Sequence, residues 1–348
     1  MNGVALVGYG YWGPNLARNL NAHGGERWRY LVEISGERRK QAAMLYPHVD
    51  VTDDYDRVLA DPQVSAVIIA TPAPTHTELA RRAQDAGKHV FVEKPLTEST
   101  AEAIELARTA DERGLVLMVG HIFEYVPAVR MIKQLLGDGE VGDLLYIHSQ
   151  RLNNSRIASD TTTYWSLGPH DVSIANYLVG ADPIWASARG ETYLGTGEED
   201  LTFITVGYPG GVVAHMHISW LEPIKTRRTT VIGTMRSIVY DDMDADAKLR
   251  VYDNPHKHVN PDAYGAWQYR LQEGAMRAPA LGMIEPLGAE VQEFLRCTLT
   301  GERPLTDGWS GVRVVAVLEA IGESLRAGGG VKIPVDIPPQ SKRNGVSS

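Results

Sequence analysis

The chain has a single cysteine, Cys297, in 348 residues. That excludes an intrachain disulfide framework and any metal centre built from cysteines. It has no apolar run near the roughly 18 residues that a membrane span needs. Its first residues, Met1 to Gly8, carry no basic segment ahead of the short run Val4–Val7, so that run reads as a strand rather than a secretion signal. It has no excess of positive charge: 34 Lys and Arg stand against 43 Asp and Glu, a net charge of −9. A general nucleic-acid binder needs the opposite balance. Internal repeats and low-complexity blocks are absent too. These absences point to a globular protein of a reducing compartment, expected in the cytoplasm, with neither nucleic acid nor membrane as partner.

With 43% hydrophobic residues, the chain has core material for two or three domains. Over the first 120 residues or so, short apolar strands alternate with helical stretches. The strands are Val4–Val7, Tyr30–Ile34, Ala66–Ala70, His89–Val92 and Leu115–Val119. Between them lie Asn15–Ala22, Ser35–Leu45, Thr75–Ala86 and Thr100–Arg113, which suit helices. Continuous apolar strands separated by helices predict a parallel sheet covered on both faces. After His121 the pattern changes. Helices are expected at Pro127–Leu136 and His170–Leu178, then alternating runs such as Leu144–Gln150, Leu201–Tyr208, Gly211–Trp220 and Arg228–Ile232 predict a large, mostly antiparallel open sheet. Helices Glu285–Leu299 and Ser310–Ala327 follow. The expected class is α/β, with a dinucleotide-binding domain over residues 1–122, an α+β substrate and oligomerisation domain over 123–337, and a loose tail over 338–348.

Four motifs carry chemistry. Gly8-Tyr9-Gly10-Tyr11-Trp12-Gly13 follows a strand and opens a helix. Gly8 suits the tight turn, Gly10 lets backbone approach a pyrophosphate, and Gly13 allows close helix–strand packing. The N–H groups of the new helix then face the phosphates. Glu33 ends the second strand where a carboxylate can bind a ribose 2′-hydroxyl, which favours NAD. Ser35, Arg38 and Arg39 stand close by, and an arginine there suits the extra phosphate of NADP, so both cofactors stay open. Thr71-Pro72-Ala73-Pro74-Thr75-His76 follows the third strand, with Thr71, Pro72 and His76 as candidate cofactor contacts. Glu93-Lys94-Pro95-Leu96 follows the fourth. A lysine there can hold a substrate hydroxyl and stabilise developing alkoxide. Pro95 keeps Lys94 extended and allows a cis bond at that position. Trp165-Ser166-Leu167-Gly168-Pro169-His170-Asp171 opens a helix, and His170 can take a proton near neutral pH.

Together these motifs resemble the glucose-fructose oxidoreductase, inositol dehydrogenase and rhizopine-catabolism (Gfo/Idh/MocA) family. Gly120-His121 and Asp307-Gly308…Leu318-Glu319-Ala320 extend the resemblance over nearly the whole chain. It implies a Rossmann domain that holds NAD, or NADP, through Gly8, Gly10, Tyr11, Trp12, Gly13, Glu33, Ser35, Arg38, Thr71, Pro72, His76, Glu93 and Lys94. It implies Lys94 and His170 as the catalytic pair of a sugar or cyclitol dehydrogenase or ketoreductase. Gly10-Tyr11-Trp12-Gly13-Pro14-Asn15, Ser219-Trp220-Leu221…Lys225 and Glu285-Pro286-Leu287 resemble the branch that oxidises the 3-hydroxyl of nucleotide sugars. Relatives of this kind also act on inositols or reduce keto sugars in antibiotic-sugar synthesis. One position departs from the pattern: where the family commonly carries Asp, four residues before the catalytic histidine, this chain has Ser166. Asp171 or Asp160 are possible substitutes.

Tyr125, Arg151, Asn153, Tyr164, Ser166 and Lys225 are candidate substrate contacts, Arg151 or Lys225 suiting an anionic group. His215 and His217 alternate on one strand. With His121, His256 or His258 they complete no ligand spacing, so no metal is expected. The aromatic stretch Tyr264–Tyr269 suits stacking on a sugar ring or loop packing. An open sheet face predicts a homodimer or homotetramer. Two rival classes remain: an NAD-recycling dehydratase, epimerase or glycosidase on the same scaffold, and a non-catalytic dinucleotide sensor.

Overall fold

The structure is a computed structural model that describes residues 2–154, 161–195, 197–254 and 274–340. The chain forms two compact units. The first comprises Met1–Val126, Ile284–Glu319 and Val335–Ser348, and the second Pro127–Met283 and Ala320–Pro334.

The first unit begins with β1 (Gly3–Val7), α1 (Gly13–His23), β2 (Trp28–Val32), α2 (Gly36–Leu45), β3 (Asp50–Thr52), α3 (Tyr55–Ala60), β4 (Val64–Ile69), α4 (His76–Asp85), β5 (His89–Glu93), α5 (Thr100–Arg113) and β6 (Leu117–Gly120). The strands form a parallel sheet in the order β3-β2-β1-β4-β5-β6. The strand order reverses between β1 and β4, which opens the crevice where α/β sheets of this type bind ligands. Strands β1, β4 and β5 are apolar and buried, as two-sided coverage demands. β3 and α3 were not read from the sequence. Both are short, and α3 depends on a cap, the Asp54 carboxylate accepting from the Arg57 N–H at 2.9 Å.

In the second unit, α6 (Pro127–Gly137) leads to β7 (Leu144–Leu152), α7 (Thr163–Ser166), α8 (Gly168–Val179) and the strands β8 (Trp185–Glu191), β9 (Leu201–Gly207), β10 (Val213–Ser219), β11 (Thr226–Gly233), β12 (Arg236–Asp241), β13 (Leu249–Asp253) and β14 (Met276–Arg277). α9 (Pro286–Thr300) and α10 (Gly308–Arg326) follow, then β15 (Ile333–Pro334). The nine-stranded sheet runs β14-β13-β12-β11-β7-β10-β9-β8-β15. It is antiparallel except for the β7–β10 pair. Period-two patterning puts Ala214, Met216 and Ile218 inside, while the opposite face carries exposed Tyr146 and Phe203.

A single boundary at residue 122 does not describe this packing. α9 belongs with the first unit, not with the second as the sequence suggested. Its apolar face, Leu287, Val291 and Phe294, joins a core with Leu16, Leu20, Phe91 and Met118. Phe294 meets Phe91 edge-on at 5.7 Å, and Glu285 pairs with Arg18 on α1. Burial of a helix stripe outweighed closeness along the chain. The expected stacking stretch Tyr264–Tyr269, and His256, His258 and Asp160, lie outside the described residues.

Candidate functional site

The glycine turn after β1 is built by close approach. Gly8 has φ +97°, and a Cβ on it would lie 2.6 Å from the Ala70 carbonyl oxygen, in the neighbouring turn after β4. A Cβ on Gly13 would lie 2.5 Å from the Gly8 carbonyl oxygen, so α1 starts hard against the turn. Gly10 differs, since a Cβ there would meet only the Arg38 guanidinium, at 3.7 Å. The turn is therefore tight below and open above. The N-cap residue of α1, Trp12, makes no side-chain cap; Pro14 has no N–H and the Asn15 N–H bonds the Trp12 carbonyl at 3.0 Å, so in the first turn it is the Gly13 N–H that is left for an anion. This cradle fits a dinucleotide pyrophosphate.

Glu33 is buried and already employed. Its Oε2 accepts from the Tyr9 N–H at 2.7 Å and its Oε1 from the Ser35 N–H at 2.8 Å. It ties the glycine turn to the start of α2, and each oxygen keeps a further lone pair for a ribose hydroxyl. Ser35 caps α2 through the Arg38 N–H. Arg39 is spent on the Glu33 and Ile34 carbonyls and on Asp53. Arg38 is exposed beside Gly10 and Tyr11 is 86% exposed. Of the two arginines near the ribose position, only Arg38 remains placed for an added phosphate.

Thr71 abuts the Gly8 turn through its methyl group, and its hydroxyl bonds that of Thr75 at 2.7 Å. Pro72 beside it is exposed. His76 does not fit its expected role as a cofactor contact. It is buried, with Nδ1 2.7 Å from the Pro95 carbonyl oxygen and Nε2 2.9 Å from that of Thr71. Both nitrogens face backbone carbonyls, so the ring is packed between the turn after β4 and the turn after β5, its N–H donating to one of them.

That second turn carries Lys94, whose bond to Pro95 is cis. Glu93 lies beside it, half-buried. Its carboxyl accepts from the Lys94 N–H at 3.3 Å and from the Trp12 side chain, and packs where a Cβ on Gly120 would sit, 2.9 Å away. Burial pushes Glu93 up to about 7 against the pull of the Lys94 charge. Trp12 and Glu93 thus support the turns. The Lys94 charge also reaches His76 and His121. Burial, with that charge, takes His121 down to about 3, so its imidazole is neutral at neutral pH, and the same two causes lower His76 against its two backbone contacts.

In the second unit, His170 lies in the first turn of α8, its N–H bonded to the Leu167 carbonyl at 3.2 Å. Ser166 ends α7, and both side chains are half-buried. Asp171 does not stand in for the missing carboxylate. It is buried and accepts from the Arg151 Nε at 2.5 Å. The same pair withdraws Arg151 from the substrate candidates. Tyr164 is withdrawn as well: it is 7% exposed, its hydroxyl 2.9 Å from where a Cβ on Gly322 would lie. Tyr125, in the first unit, is a core residue whose hydroxyl bonds that of Thr306 at 3.3 Å. Asn153 stays half-buried, with its N–H on the Ser219 carbonyl, and Lys225 is exposed. Among the described residues, no group of His, Cys, Asp and Glu is arranged to hold a metal, and no helix is long and apolar enough to cross a membrane.

Sequence reasoning did not single out Glu290, which is wholly buried near Glu93 with both carboxyl oxygens meeting no donor among the described residues. The signal available was an acid between Leu287 and Val291 on the apolar stripe of α9.

The model of an oxidoreductase family with an NAD-binding Rossmann fold, GFO/IDH/MocA, matches residues 2–121, and that of the GFO/IDH/MocA C-terminal domain matches 129–239. UDP-N-acetylglucosamine 3-dehydrogenase from Acidithiobacillus ferrooxidans is 30% identical over 286 residues, 82% of this chain and 83% of the relative. The solved structure of that dehydrogenase, GnnA, superposes with a TM-score of 0.80 at 27% identity, covering 93% and 97% of the two chains. The scyllo-inositol 2-dehydrogenase (NAD(+)) of Bacillus subtilis is 27% identical over 95% of this chain and 96% of its own. The 2,7-anhydro-N-acetylneuraminate hydratase of Mediterraneibacter gnavus is 27% identical over 72% and 70%.

Proposed function

The chain belongs to the GFO/IDH/MocA family of NAD-binding oxidoreductases, and from that membership we propose that it transfers hydride between a secondary hydroxyl of a sugar or cyclitol and the nicotinamide. The observation that carries this reading is the Glu93-Lys94-Pro95 turn, which stands at the carboxyl end of β5 in the sheet that bears the glycine cradle.

The glycine turn and the start of α1 hold the pyrophosphate, Glu33 and Arg38 address the ribose, and Thr71 lines the crevice. NAD is the first choice and NADP remains open through Arg38. When bound, the cofactor supplies the hydride acceptor. Lys94 donates a hydrogen bond to the reacting oxygen, and its charge lowers the cost of alkoxide character there. His170 takes the hydroxyl proton in oxidation and returns it in reduction. Ser166 contributes a hydrogen bond but no charge at the position where the family commonly carries Asp. Asn153 and Lys225 are the remaining substrate contacts, and Lys225 suits an anionic group. Similarity to the UDP-N-acetylglucosamine 3-dehydrogenase supports a nucleotide sugar oxidised at C3. The exposed Tyr146 and Phe203 on the sheet face support association through that face.

The test is a screen for nicotinamide reduction with NAD and NADP against UDP-sugars, sugar phosphates, inositols and keto sugars. A substrate-dependent signal lost in Lys94→Ala supports the reading, and full activity in that variant refutes it. A second reading rests on the similarity to the anhydro-sugar hydratase: a reaction that oxidises transiently and returns the hydride. It predicts silence in the screen together with NAD released when the purified protein is denatured.

A further inference from the structure

Helix α8 carries His170 in its first turn, and the second unit fixes that helix at two polar points. The first is the residue after His170. The Asp171 carboxylate accepts from the Arg151 Nε at 2.5 Å, and neither side chain is more than 5% exposed. Arg151 stands near the end of β7, the central strand of the sheet, between β11 and β10. The second point lies more than a turn further along α8. There the Asn176 Oδ1 accepts from the buried Tyr208 hydroxyl at 2.8 Å, just past the end of β9. The backbone of His170 is tied as well: its N–H donates to the Leu167 carbonyl at 3.2 Å, and its carbonyl accepts from the Ser173 hydroxyl at 3.0 Å.

The rest of the buried face of α8 is largely apolar, with Val172, Ile174, Ala175 and Leu178 inside. Apolar burial has no direction, so such a face tolerates a small roll or slide of the helix. Two hydrogen bonds at different heights on its axis do not, because each has a preferred angle and length. Asp171 follows His170 directly in the helix, so a roll at Asp171 carries His170 with it. A buried ion pair suits this task better than it suits stability. Taking two charges out of water costs about as much as their attraction returns, and apolar residues of similar volume often hold a fold as well. What the pair adds is direction.

We propose that Arg151 and Asp171 are positioning residues for His170: the buried pair sets the rotation of the first turn of α8, and through it the place of the imidazole. This rests on the reading of His170 as the group that takes the hydroxyl proton. A general base works only within hydrogen-bond reach of that proton. A clamp on its own turn is therefore felt in kcat, while the cradle for the cofactor, in the other unit, is untouched.

The experiment uses the full chain in two measurements. The first compares kcat with stability in Arg151→Met and in the double variant Arg151→Met with Asp171→Leu. The single change leaves Asp171 buried and unpaired, and the denaturant midpoint falls. The double change removes both charges, so the midpoint is expected to return toward that of wild type. Its kcat is not. It is expected to stay about tenfold to a hundredfold low, the scale of a misplaced catalytic group, with NAD affinity and substrate KM within a few-fold. A pair that serves the fold alone predicts that kcat returns with the midpoint, and that result overturns the proposal. The second measurement needs no substrate. Nuclear magnetic resonance of the protein labelled at its histidine rings follows the His170 signal, assigned by its loss in His170→Gln. That signal is expected to shift or split in the double variant while the His48 signal, from the first unit, stays in place. An unmoved His170 signal overturns the proposal. Should the double variant not fold, Arg151→Lys decides, since it keeps the buried charge and loses the guanidinium geometry. The same ring shift and a lowered kcat are expected there, and wild-type values of both overturn the proposal. A moved ring, with no turnover of any sugar, nucleotide sugar or cyclitol by wild type, leaves the clamp standing and overturns the catalytic role given to His170.

Discussion

The two units present their candidate side chains in opposite ways. In the first, the chemistry sits on turns at the carboxyl ends of parallel strands, where backbone shape does most of the recognition. Gly8, Gly10 and Gly13 act through the absence of a Cβ, and Glu33 and His76 act on backbone groups. In the second, the candidates project from strands and short helices, and what each can do depends on its neighbours. Arg151 is taken by Asp171, and Tyr164 is packed against Gly322. His170 and Ser166 remain half-buried. Backbone sites are thus fixed by local sequence, whereas side-chain sites are fixed by partners far along the chain.

The largest expected effect isolates chemistry from backbone recognition. Lys94→Ala should lower kcat by about a thousandfold, the scale of a lost transition-state donor, while NAD affinity by titration stays within a few-fold. Loss of NAD binding would make Lys94 part of the cradle instead. The next effect belongs to the second unit. Arg151→Met leaves Asp171 buried without its cation, and should cost about 3 kcal/mol of stability by denaturant unfolding. Unchanged stability, with only a raised KM, would return Arg151 to the substrate site.

The same contrast sets what was legible in the sequence. The parallel sheet, the glycine turn, Glu33 and the Lys94-Pro95 turn were readable because each has a local signature: an apolar run, a spacing, a residue before proline. β3 and α3 were not, being too short for a period. The place of α9 was missed because the partners of its apolar face, β5 (His89–Glu93) and α1 (Gly13–His23), lie far upstream of α9 (Pro286–Thr300). Tyr125, Arg151 and Tyr164 look alike in sequence, as polar groups near a motif, and only tertiary packing tells that all three are buried. Asp171 looked available for the same reason, since nothing next to it in the chain announces Arg151.

Within the first unit, Gly10 and Gly13 separate ligand recognition from folding. Gly10→Val places a side chain in open space, so the melting temperature should hold while NAD affinity falls about tenfold or more, the pyrophosphate being kept off the backbone. Gly13→Ala should do the reverse, losing stability by overpacking against the Gly8 carbonyl. Equal effects of both on stability would show that the turn is not open above Gly10.

The smallest effect concerns the neutral imidazole behind Lys94. His121 is held down to about 3 by burial and by the Lys94 charge, while an unfolded chain leaves histidine near 6.5. Below that value the unfolded state binds a proton that the native state refuses, so stability falls as pH falls from about 6.5 toward 3. Between pH 7.5 and pH 6 the loss from this one residue is just under 1 kcal/mol, about RT ln(1 + 10^0.5). His121→Gln removes the titration and should flatten that part of the stability profile, measured as denaturant midpoint against pH. His76 shifts in the same direction and contributes to the same slope, so the variant flattens it without abolishing it. A slope that His121→Gln leaves untouched would mean that the native His121 accepts its proton readily, which requires an acceptor beside it and a weaker Lys94 field than the structure gives.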